Sequence, residues 1–215
     1  ATGHSGHKTA AGPRKPIPIR ADHTPDQCIP LDAYYNAALD DNFHLGGLEG
    51  NDLASFPKGT VNLAGVTFDV RGLIHLTGQQ IETLSSIDYP QKVTNIIIGR
   101  KAEHLHFLHG AGWPSDEGQT IAKWTIYYDD GTENVIRVHY GKDVADWWTA
   151  PDAPSLSGSQ AAWEGENAAT RESSMQLRLF KKAWNNPHPE KVIKAIDYTS
   201  SMKDSSPFML AITAD

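Results

Sequence analysis

Ten histidines are spread along the 215-residue chain, and three fall together as His104-x-His106-x-x-His109. Two imidazoles at i and i+2 on a strand share a face and can ligate one metal ion. His104 and His106 are therefore the candidate metal ligands, with His75 or His139 available to complete a set. The carboxylate that would complete such a motif is not nearby in sequence: FLHGAGWPSDE follows His106, and Glu117 stands beyond a proline. Hydrogen bonding of His106 and His109 to loops inside a β-structure explains the cluster more simply. Aromatic residues beside acids suggest other chemistry. Trp113, Trp147, Trp148 and Trp163 fall in expected loops or strand ends, whereas Trp124 lies in a long strand and is assigned to the core. The stretch Gly141 to Trp148 sets adjacent indoles beside Asp143 and Asp146. Neighbouring residues on extended backbone point opposite ways, so one indole can anchor inside while the other reaches outward. An exposed indole is a flat apolar plate with one donor, suited to stacking on a sugar ring while groups such as Asp146 and Asn167 bond its hydroxyls. The plainer alternative is that both tryptophans seal the end of a β-sandwich.

Other chemistries lack their signatures. No GxSxG elbow is present, and Cys28 sits in the proline-flanked loop DQCIP with no histidine motif beside it. A single cysteine excludes an intrachain disulfide, a four-cysteine zinc site and an iron–sulfur cluster. The acids stand mainly in turns, as at Asp40/Asp41, Asp129/Asp130 and Glu164/Glu166. Calcium (Ca) is the one cofactor that such loop carboxylates and carbonyls suggest, although no EF-type loop occurs. These absences make a non-enzyme the expectation. A formal net charge of −7 argues against a general nucleic-acid binder, and no apolar run approaches the ~18 residues needed for a membrane-spanning helix.

The elements that must position these side chains are strands. From Gly59 onward, short runs rich in β-branched and aromatic residues alternate with Gly, Pro, Asn and Asp clusters. Expected strands are Thr60–Leu63, Val66–Val70, Leu73–Leu76, Lys92–Ile98, Leu105–His109, Ile121–Tyr128, Asn134–Tyr140, Met175–Trp184, Val192–Tyr198 and Phe208–Thr213. Asp130-Gly131 between WTIYY and VIRVHY marks a hairpin. Alternation sets Leu105 and Phe107 on the core face, opposite His104 and His106, with His109 on the core side. It likewise sets Ile136, Val138 and Tyr140 opposite Val135, Arg137 and His139. The run Val93 to Ile98 is apolar on both sides near its end, which suggests a central strand. IPLDAYYNAAL could form a short helix, tightly bracketed by Pro30 and Asn36. With no βαβ pattern and no internal repeat, the expected fold is all-β: an antiparallel β-sandwich or jelly roll over residues 31–215, with an extended basic N-terminal arm over 1–30. The first 20 residues carry Lys8, Arg14, Lys15 and Arg20 and no acid, leaving −11 on the rest of the chain. The small-residue start at Ala1 fits a processed protein, so a secreted, extracellular or periplasmic location is expected.

The segments FPKGTVNLAGVTFDVRGLIHL, LHFLHGAGW, IAKWTIYYDDGT, IRVHYGKDVADWW, WNNPHP and IDYTSSMKDSSPFMLAITAD follow one another in an order that resembles the galactose-binding-like β-sandwich domains, accessory modules of the carbohydrate-binding type in secreted bacterial proteins. The resemblance spans about residues 31–215 and implies a non-catalytic module. The matching motif residues here are His106, His109, Trp113, Asp146, Trp147 and Trp148. The basic arm is not part of that pattern. The expected function is thus binding of carbohydrate or a cell-surface or matrix polymer through Trp113, Asp146, Trp147, Trp148, Trp163 and Asn167. One alternative is a structural subunit of an extracellular filament or surface assembly, a homo-oligomer in which one subunit's arm lies in the next. Another is a metalloenzyme built on His104 and His106.

Overall fold

Fifteen strands and two short helices form among residues 7–44 and 48–215, the residues described by the computed structural model. The strands are β1 (Thr9–Ala10), β2 (Ala37–Ala38), β3 (Gly59–Leu63), β4 (Val66–Val70), β5 (Gly72–His75), β6 (Ile87–Asp88), β7 (Lys92–Arg100), β8 (His104–Gly112), β9 (Thr120–Tyr128), β10 (Glu133–His139), β11 (Trp148–Thr149), β12 (Gln160–Gly165), β13 (Gln176–Asn185), β14 (Ile193–Ser200) and β15 (Ser206–Ala214). Helix α1 covers Gln79–Leu84 and α2 covers Ala168–Glu172. The Asp130-Gly131 turn joins β9 to β10 in antiparallel register, with Gly131 at φ +84°.

Two sheets stack as an antiparallel β-sandwich. One has the order β10-β9-β14-β7, and the other runs β11-β13-β8-β15-β5-β2, with β12 on the far edge of β13. The main core lies between them. Leu105 and Phe107 of β8 and Ile212 of β15 meet Trp124, Ile126, Ile136 and Tyr198 from the smaller sheet. Trp124 stacks between Phe107, with centroids 4.0 Å apart, and Tyr198 at 5.5 Å. A second core covers the opposite face of the larger sheet, where Leu108, Leu179, Phe208 and Leu210 pack on Phe43, Phe56, Phe68 and Trp147. Coverage on both faces explains why all nine residues of β15 are buried.

The strand expected to be central is an edge. Among the described residues β7 pairs only with β14, and Ile97 is 48% exposed. Between Asn95 and Gly99, both at positive φ, the alternation holds, so that Ile96 and Ile98 enter the core while Ile97 faces out. The Tyr34 hydroxyl occupies the free edge, accepting from Ile97 N–H at 3.0 Å and donating to the Asn95 carbonyl at 2.9 Å, a device that blunts edge pairing. IPLDAYYNAAL forms no helix. Its residues make turns and then β2, because Ala37 and Ala38 pair with β5 and Asn36 brackets the His75 backbone with two side-chain hydrogen bonds.

The described part of the arm lies along its own domain. β1 pairs parallel to β6, Ile17 packs on the main core, and Arg20 bonds Asp69 at 2.7 Å. Among the described residues, no helix is long and apolar enough to cross a membrane.

Candidate functional site

A strap over residues 139–149 fills the gap where β8 diverges from β13. Gly141 turns the chain at φ +76°, and its N–H donates to the Val144 carbonyl at 2.8 Å. The buried Asp143 carboxylate locks that turn, accepting from His139 N–H at 2.8 Å, His139 Nδ1 at 3.1 Å and Lys182 Nζ at 2.6 Å. Burial pushes this carboxyl up, but the bonds and charge of Lys182 and His139 outweigh burial and hold it below its ordinary value. Further along, Trp147 N–H donates to the Ala111 carbonyl of β8 at 2.7 Å, while the Trp147 carbonyl accepts from Arg178 N–H of β13 at 2.9 Å. The strap is thereby stitched to both strands. Its alternation sends Trp147 into the second core at 1% exposure and leaves Trp148 half-buried.

Beside the strap is a cavity of about 210 Å³, lined by His44, Leu48, Asn51, Trp113, Asp146, Trp147 and Trp148. Trp113 follows the end of β8 at φ +67°, a conformation rarely adopted by a bulky residue. Its indole N–H is buried without a partner among the described residues. Trp148 Nε1 donates to Asn51 Oδ1 at 2.9 Å, and the same oxygen accepts from Asn167 Nδ2 at 3.3 Å. Asn167 also caps α2 through a reciprocal capping box with Thr170. Asp146 accepts from Trp148 N–H at 3.1 Å. Burial raises its carboxyl to about 6, against the opposing pull of the Trp148 and Trp113 N–H groups.

Behind the indoles lies a neutral imidazole pair. His44 Nδ1 is 3.4 Å from His75 Nε2, and His75 packs on Tyr89 with centroids 4.2 Å apart. Burial drives His44 down to about 3, and burial together with His44 drives His75 well below its ordinary value. The His44 ring also lies directly over Gly112, where a Cβ would fall 1.8 Å from Cε1, so only glycine leaves room for this wall.

Four of the six residues expected to bind ligand, Trp113, Asp146, Trp147 and Trp148, thus meet at one cavity. Asn167 stands behind it and orients Asn51, and Trp163 packs on Phe56 at 4.8 Å away from the lining. His44, Leu48 and Asn51 come from an irregular segment with no local motif, and only the tertiary fold brings them to the strap. His104 Nδ1 and His106 Nε2 both hydrogen-bond the Asp215 carboxylate, at 3.1 and 3.2 Å. That acid lies more than a hundred residues away in sequence, so spacing could not reveal it. Among the described residues, no group of three or more His, Cys, Asp or Glu side chains is arranged to hold a metal ion. The chain matches no protein-family model, no curated protein and no solved structure.

Proposed function

We propose that the protein is a non-catalytic module that binds a saccharide unit of a glycan in the indole-lined cavity. The observation that carries this reading is the convergence of Trp113, Trp147 and Trp148 with the Asp146 carboxylate around one opening. Indole faces give apolar surface to the C–H side of a sugar ring, and a carboxylate accepts from its hydroxyls. At about 210 Å³ the space suits one ring more than a chain, being smaller than the roughly 300–1,000 Å³ typical of drug-sized sites. Among the described residues, Asp146 is the only carboxylate in the lining, whereas glycoside hydrolysis ordinarily needs two flanking the bond. This favours binding over cleavage.

Retention on a panel of immobilised polysaccharides tests the reading. Trp148→Ala is expected to weaken retention by roughly tenfold, the worth of one aromatic contact of about 1.4 kcal/mol. Trp163→Ala, outside the cavity, is expected to leave retention unchanged. Failure of the wild-type protein to be retained by any glycan, or equal losses from the two substitutions, would sink the proposal.

A further inference from the structure

Resting on the saccharide reading, we infer that the bound sugar carries an ammonium group, so that the cavity recognises an unacetylated amino sugar as a cation held among indoles against Asp146. Three of the seven lining residues are tryptophans, and Asp146 is the one ionisable acid among them. Indole faces carry a negative quadrupole and attract an ammonium or alkylammonium group, most strongly when water is excluded. Aromatic rings arranged around an acid form a cage for such a cation.

The charge balance of the site points the same way. Among the described residues, no lysine or arginine lines the cavity and Asp146 forms no salt bridge. The other titratable lining group among the described residues, His44, is kept neutral by burial. An anionic sugar such as a uronate would meet a like charge and no countercharge. A neutral sugar would leave the carboxylate uncompensated. A cationic sugar would supply the missing partner, and the raised value of Asp146 is what an unpaired, desolvated carboxylate shows before that partner arrives. The Trp148 indole N–H is already committed to Asn51, so the face of that ring, and not its donor, is what the ring offers to a ligand.

The test compares three methyl glycosides that differ only at C2: glucosamine with a free ammonium, N-acetylglucosamine and glucose. Tetramethylammonium is added as a cation without a sugar. Calorimetric titrations run at about 150 mM salt, where the Debye length of about 8 Å screens the protein's overall negative charge. The free-amine glycoside is expected to bind at least roughly tenfold more tightly than the other two sugars. Asp146→Asn should abolish that preference, while the exposed control Asp152→Asn should preserve it. Trp148→Phe, which retains an aromatic face, should weaken all ligands only modestly. If the three glycosides bind equally, the ammonium inference is overturned and the saccharide reading stands. If no glycoside binds but tetramethylammonium does, the cage is supported and the saccharide is overturned. If nothing binds, both are overturned.

Discussion

Acidification from about pH 7 to about pH 4 is expected to remove much of the protein's stability, and three buried imidazoles are the cause. His44 and His109 are held down to about 3 and His75 is held well below its ordinary 6.5, all chiefly by burial. Each is neutral in the folded protein, whereas the unfolded chain protonates it below about 6.5. Their contribution is therefore complete above that value and is lost as pH falls toward the folded values. The loss is roughly 1.4 kcal/mol per pH unit for each imidazole, or about 3 kcal/mol each by about pH 4 for His44 and His109. His75 adds in the same direction. Asp146 opposes them: with a folded value of about 6 above an ordinary 3.8, it contributes stability that is complete below 3.8 and lost as pH rises through 6. The net slope should thus be shallower between about pH 6 and pH 4 than the histidines alone would give. Against a total of about 5–15 kcal/mol for an ordinary domain, the midpoint of acid unfolding is expected near pH 4. Urea unfolding across this range measures the slope. His109→Leu should reduce it by about one proton, since this imidazole sits against Trp124 with Nε2 unpartnered among the described residues. A stability that stays flat between pH 7 and pH 4.5 would contradict this account.

Arg71→Ala is expected to be the most damaging single substitution of a charged residue, costing about 3–5 kcal/mol. The guanidinium is 1% exposed and donates to Asp69 at 3.0 Å, to both oxygens of Asp32, and to the Pro18 carbonyl at 3.2 Å. Its removal strands Asp69, itself 3% exposed, with Arg20 as its remaining cationic partner. The same cluster ties the arm down, because Pro18 and Arg20 both belong to it and Arg20 also donates to the Cys28 carbonyl. Arg71→Ala should therefore speed tryptic cleavage after Arg14 and Arg20 as well as lower the urea midpoint. Arg20→Ala, at the more exposed end of the network, should cost about 1 kcal/mol or less. A loss below about 1 kcal/mol for Arg71→Ala would mean that the pairings do not hold the fold.

Local pattern and long-range packing divide what the sequence made legible. The β9–β10 hairpin, the faces of Leu105, Phe107, Ile136 and Val138, and the core position of Trp124 all follow from period-two alternation around an Asp-Gly turn. They appear as expected because each requires only neighbours along the chain. Coverage of a face does not follow from one strand. Ile97 sits exposed on an edge, and a long strand buried along its whole length is β15, whose run SPFMLAITA is bounded by polar residues. Two-residue strands such as β2 and β11 carry no period at all; their pairing is imposed by β5 and β13. The same division runs through the candidate site. Trp147 and Trp148 could be assigned opposite orientations from adjacency, and Asp146 could be placed beside them. His44 and Asn51 lie about a hundred residues away and reach the cavity only through the second core and the Asn167 cap. Trp163 shows the limit of residue type as a guide, since a loop-edge tryptophan can serve Phe56 as readily as a ligand.

The most direct measurement is the amide and indole N–H correlation spectrum of the 15N-labelled protein, titrated with the glycoside that binds best. The chain has six tryptophans and hence six indole N–H signals. Binding in the cavity predicts progressive shifts for Trp113, Trp147 and Trp148, with Trp124, Trp163 and Trp184 stationary. Shifts confined to Trp163 or Trp184, or saturation of binding with the three cavity signals unmoved, would contradict the assignment of the site.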